Sequence, residues 1–149
     1  MITIIVRGMP APQGSKRHVG NGVMVESSKK VKPWRQDVVA AAVEARNGAP
    51  PLDGPLRARI VFTLPKPKSA PKRKRTYPDK KPDLSKLLRS TEDALTNAGV
   101  IADDARIVGF DRLEKVFPGE DPEALDTPGA IIHVYRIEAD AQPAQKAAA

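Results

Sequence analysis

Cysteine is absent from the chain, which excludes disulfides, thiolate zinc sites and a cysteine nucleophile. Histidine is nearly absent. His18 and His133 stand far apart with no Ser–His–Asp pattern beside either, so a histidine-based mechanism is not expected. Aromatic residues make up only 4% of the chain, leaving Leu, Val, Ile and Ala to fill a core. No apolar run approaches the roughly 20 residues of a membrane span. The opening MITIIVRGMP has too few consecutive apolar residues for a signal-peptide core. GMPAPQG at 8–14 lacks the Gly-Lys-Ser/Thr ending of a phosphate-cradling loop. The expectation is a soluble cytoplasmic protein.

The 149 residues, 40% of them hydrophobic, suit one domain that buries about 70% of its unfolded surface. Charge is unevenly placed. The net charge is +7, and KPKSAPKRKRTYPDKK (66–81) alone carries eight Lys or Arg against one Asp. The remainder balances at seventeen of each sign. A concentrated basic patch on a neutral body is the footprint of a polyanion-binding surface, although a solvated basic loop has the same composition. The run Lys72-Arg73-Lys74-Arg75, with prolines on both sides, favours nucleic acid.

Hydrophobic spacing predicts an α+β fold: one compact domain with a small mixed sheet of about four strands and two main helices. Strands are expected at 2–7, 56–65, 106–117 and 129–137, with a brief one around VMV at 23–25. The first helix, about 34–46, follows Pro33 and presents Trp34, Val38, Ala41 and Ala42 at 3–4 spacing, with Trp34 read as core or dimer surface. The second, about 84–97, has its apolar stripe at Leu84, Leu87, Leu88, Thr91 and Leu95, and Asn97 with Gly99 stops it. The domain is expected to span 1–137, with 66–81 a DNA-contacting loop and 138–149 a disordered tail.

Acids frame the second helix. Asp83 precedes it, and Asp103-Asp104 follow the return NAGVIA. On a wheel of 100° per residue, Ser85, Arg89 and Glu92 share one polar face. A strand starting near Arg106 and packed on this helix could bring Asp104 back to that face. Carboxylates converging in this way hold the magnesium of phosphodiester-cleaving enzymes. The plainer reading keeps Asp83 as a helix cap and the Asp-Asp pair as a turn. Asp93 lies about 80–100° round the helix and reads as a brace rather than a ligand.

The stretch PDLSKLLRSTEDALTNAGVIADDARIV (82–108) resembles the core of the RusA family, Holliday junction resolvases common in phages. That pattern runs Asp-Leu-Asp-Asn, a helix with a basic residue, Asp-Ala-Leu, then Asp-Asp before a strand. Asp83, Asp93-Ala94-Leu95 and Asp103-Asp104 occupy those places, and GMPAPQGSKRH and PWRQDV resemble the family's N-terminal region more loosely. The resemblance implies a homodimeric endonuclease dependent on Mg2+, with Mn2+ as a substitute, that nicks four-way DNA junctions symmetrically inside a bacterial cell. Asp83 and Asp104 take the metal-binding places, with Asp103 adjacent, and Arg89 takes the place of the cation on the scissile phosphate. Ser85 and Lys86 depart from the pattern, where Asp and Asn are expected. Either Glu92 supplies the missing carboxylate, or the protein binds branched DNA without cutting it. The DNA-contact candidates are Ser15, Lys16, Arg17, Lys72, Arg73, Lys74, Arg75, Lys80, Lys81 and Lys86, whereas Lys115 reads as a solvent-facing strand lysine.

Overall fold

β-Branched residues at alternate positions build the sheet. The computed structural model describes residues 1–14 and 29–138, with the backbone alone of two short paired strands, β2 (Lys16–His18) and β3 (Met24–Glu26). The main sheet contains β1 (Ile2–Arg7), β4 (Leu56–Thr63), β5 (Ile107–Val116) and β6 (Gly129–Arg136) in the order β1-β6-β4-β5. β6 runs antiparallel to both β1 and β4, and β4 runs parallel to β5. The sheet is therefore mixed, as expected. Ile4 and Val6, Ala58, Ile60 and Phe62, and Ala130, Ile132 and Val134 turn to one buried face.

Two helices cover that face: α1 (Val31–Arg46) and α2 (Leu84–Asn97). The bounds of α2 coincide with those expected from its apolar spacing. Helix α1 starts three residues earlier than expected, and Pro33 is accommodated in its first turn, where a missing N–H costs nothing. Trp34 is core, not surface. It is fully buried, its ring lies 6.5 Å from that of Phe62, and Nε1 donates to Thr91 Oγ1 at 3.1 Å. One side chain thus fastens α1 to the sheet and to α2. Trp34→Ala should cost about 3–5 kcal/mol through cavity formation and the orphaned Thr91 hydroxyl. Urea unfolding followed by circular dichroism measures it, and a cost below about 1 kcal/mol would remove Trp34 from this role.

No described helix is long and apolar enough to cross a membrane. Of the expected tail, residues 139–149 lie outside the described residues.

Candidate functional site

Helix α2 buries Leu87, Ala94 and Leu95 against the core, which leaves Arg89, Glu92, Asp93 and Thr96 along its other side at helical offsets of three and four. Gly99 ends the helix at φ +76°, a left-handed conformation that glycine adopts without strain. The amide of Val100 then donates back to the Leu95 carbonyl at 3.1 Å, and the chain reverses. An isolated parallel bridge pins the reversed segment: Leu52 N donates to Val100 O and Ala102 N to Leu52 O, both at 2.9 Å. Asp103 then precedes a single 3-10 turn, Asp104–Arg106, that leads into β5, its side chain making no capping bond. This path lays Asp104 back along α2. Thr96 Oγ1 donates to Asp104 Oδ1, and the Asp93 carboxyl lies close enough to share a hydrogen bond with Asp104.

Asp93 is also held by Arg35 of α1 at 3.1 Å, and the same Arg35 nitrogen donates to the Gln13 amide oxygen. The loop before β2 is fastened to α2 as well: Gln13 N donates to Lys86 O at 2.9 Å and Ser90 Oγ to Ala11 O at 2.7 Å. Neither Thr96 nor Arg35 was singled out from the sequence. Thr96 follows Glu92 by four residues on the face already suspected, a local signal. Arg35 is brought in from another helix, and no local pattern announces it.

The electrostatics of this group are unusual for a surface. Partial burial pushes Glu92 up to about 7, and the negative charges of Asp104 and then Asp93 push the same way, against the opposing charge of Arg89. Asp93 is raised as well, first by burial and then by its contact with Asp104, while Arg35 and Arg89 oppose the rise. A carboxyl raised by neighbouring negative charge, as Glu92 is, is one whose ionisation a bound cation would favour. Among the described residues, however, no three acids or imidazoles converge closely enough to hold a metal ion between them. Asp93 is engaged with Arg35, which leaves Glu92 and Asp104. Magnesium takes one or two carboxylates and fills its remaining positions with water and phosphate oxygens. The Glu92–Asp104 pair fits that demand.

The other expected site residues are distributed differently. Asp83 is exposed at the N-cap of α2 with no side-chain capping bond, 3.8 Å from Lys86 Nζ. It precedes Asp93 by ten residues, about 15 Å along the helix axis. Within one protomer it does not share an ion with Asp104. Asp103, Ser85, Lys86 and Arg89 are exposed.

Cations of the basic loop divide into two sets. Lys72, Arg73, Lys74, Lys80 and Lys81 are exposed. Arg75 is partly spent inside the molecule: it pairs with Asp121 at 2.8 Å and lies 4.9 Å from the Tyr77 ring centre. Asp121, 4% exposed, also meets Arg112 at 2.7 Å, and these guanidinium contacts hold its carboxyl well below the usual carboxylate range. Lys66 pairs with Glu120 at 2.5 Å, and Glu120 also accepts the Thr76 amide at 2.9 Å. The turn at 117–125 thereby fixes the shape of the loop. Lys115 corrects its sequence reading. It is half-buried and donates to the carbonyls of Lys80 and Pro82 at 3.0 Å each, fastening the loop where α2 begins. Ser15 and the side chains of Lys16 and Arg17 lie outside the described residues.

A family profile described as endodeoxyribonuclease RusA matches residues 7–124. The chain belongs to the RusA family. The match begins at the end of β1 and takes in both helices, β4, β5 and every carboxylate discussed above, so the resemblance carried by residues 82–108 extends over most of the domain. No curated protein matches the chain individually. RusA membership makes the basic loop and the Glu92–Asp104 pair, which lie at opposite ends of α2, candidate parts of one DNA-cleaving surface.

Proposed function

We propose that the chain is a magnesium-dependent endonuclease that resolves four-way DNA junctions by paired symmetric nicks, acting as a homodimer. The observation that supports it most is Glu92, raised by burial and then by the charge of Asp104, beside Arg89 on the helix that carries the RusA signature. Glu92 would supply the carboxylate that Ser85 does not. These two side chains would hold the ion, which when bound supplies a water of lowered pKa and polarises a phosphate oxygen. Arg89 is charged at every working pH and offers a fork of donors, suited to steadying phosphate oxygens as charge builds on them. Thr96 orients Asp104, and Arg35 holds Asp93 in place. The exposed lysines and arginines of 66–81 would grip the DNA arms in a salt-sensitive way. Two-fold pairing matches a junction with two strands to cut.

Two observations favour the second reading, a branched-DNA binder that no longer cuts: no three described acids converge, and Ser85 stands where the pattern has Asp. A labelled four-way junction separates the two. Paired nicks in magnesium, absent in EDTA and restored by manganese, are expected. Tight binding in a gel shift with no cleavage in either metal would establish the second reading instead.

A further inference from the structure

A deep cleft among the described residues does not lie over the Glu92–Asp104 pair. It opens at the other end of α2, between the loop after β1 and the basic loop, with a volume of about 1090 Å³. Its floor and walls are apolar: Leu64 and Phe117 are buried there, while Met9 and Tyr77 stay 49% and 62% exposed. Seven of the lining residues are prolines. Each fixes its own φ and offers no N–H, so the wall is stiff and poor in donors before anything binds. The edge is cationic, with six Lys or Arg, Lys30, Lys80 and Lys86 among them, against Asp79 and Asp83.

A double helix cannot use such a cleft. Its outer surface is phosphate, and the flat apolar faces of its bases are stacked against one another. Those faces become available only where a nucleotide is unpaired, and there the phosphates on either side remain to meet a cationic edge. An apolar floor inside a basic rim is the arrangement that suits single-stranded nucleic acid, with aromatic rings as stacking platforms. Tyr77 is placed for that use. The Arg75 guanidinium lies against it, 4.9 Å from the ring centre, and is itself held by Asp121, so the ring is supported yet open to solvent.

We propose that this cleft receives one unpaired nucleotide of the DNA substrate, its base on Tyr77 and Met9 and its phosphates on the lysine edge. The inference rests on the endonuclease reading for its substrate class and goes beyond it in assigning a base-binding site apart from the carboxylate pair. Branched DNA would be selected at a point where a base leaves its stack, because unpairing costs least there.

The test uses a dye-labelled single-stranded tetranucleotide in EDTA, with binding read by fluorescence anisotropy. Saturable binding is expected, weakened about tenfold by Tyr77→Ala, in line with the loss of one base–aromatic stack. An oligonucleotide with an abasic site, keeping every phosphate, should show the same loss with the wild-type protein and little further loss with Tyr77→Ala. Tyr77 is exposed, so the variant is expected to fold, and its thermal melt is checked beside the wild type. The proposal is overturned if both changes leave affinity within twofold, if no saturable binding is seen, or if a short duplex competes equally per phosphate. Neither metal nor a junction is present. Failure here therefore leaves the cleavage reading standing, and failure to cleave leaves this result intact.

Discussion

Asp104→Asn should leave a folded protein that binds four-way junctions normally in EDTA but cuts them on the order of a hundredfold more slowly, or worse. The substitution keeps the shape and the oxygen that accepts from Thr96, so the turn at Asp104–Arg106 has no reason to move. What it removes is one of two negative charges available to a divalent ion at this end of α2. An amide oxygen ligates magnesium weakly, and raising the magnesium concentration should recover part of the rate, which a merely structural defect would not allow. Removing that charge should also let Glu92 ionise more readily, since Asp104 is the largest charge raising it. Cleavage within tenfold of wild type at ordinary magnesium would remove Asp104 from the site. Asp83→Asn run beside it is informative in its own right. An equal loss would mean that cleavage draws on carboxylates beside both ends of α2.

The helix that carries these residues was legible in the sequence almost to the residue, because its signals are local. Leu87, Thr91 and Leu95 recur at intervals of four, and Gly99 supplies the reversal. The return of Asp104 was only permitted by the sequence. It is imposed by Leu52, which bridges Ile101 from the segment before β4, and nothing in NAGVIADD points to so distant a partner. Asp93 shows the limit of an ideal wheel. Its angle set it apart from Glu92, yet its carboxyl reaches both Arg35 and Asp104. Arg75 looked like one more free cation in a run of four, and its partner Asp121 lies 46 positions away. Lys115 was misjudged because it lies opposite the inward-facing Phe62 and its partners, the carbonyls of Lys80 and Pro82, come from the loop before α2, 35 and 33 positions away. Charge partners contributed by other elements, rather than the element boundaries, were hidden.

Glu92 makes the pH dependence of stability a direct reading of the site. Its carboxyl titrates near 7 in the folded protein, against an ordinary value of 4.5. Between those values the folded state keeps a proton that the unfolded chain has released. Stability therefore falls as pH rises through this window, and the loss is complete above about 7, where both states are ionised. Because the group is only partly buried, the effect is discounted to about 1–2 kcal/mol, a shift of a few degrees in Tm. Glu92→Gln imitates the protonated form. Its Tm should exceed that of wild type at pH 8 without metal, and the gap should close as pH approaches 4.5. Asp121 and the other carboxylates lowered by arginine contacts destabilise both proteins alike at acid pH, so they cancel in the difference. Magnesium should reverse the order at pH 8: wild type, which has the ionised carboxylate to offer, gains more in Tm than Glu92→Gln. A gap independent of pH would show that Glu92 is not held in this environment. A pH-dependent gap unaffected by magnesium would leave the electrostatics standing and take Glu92 out of the metal site.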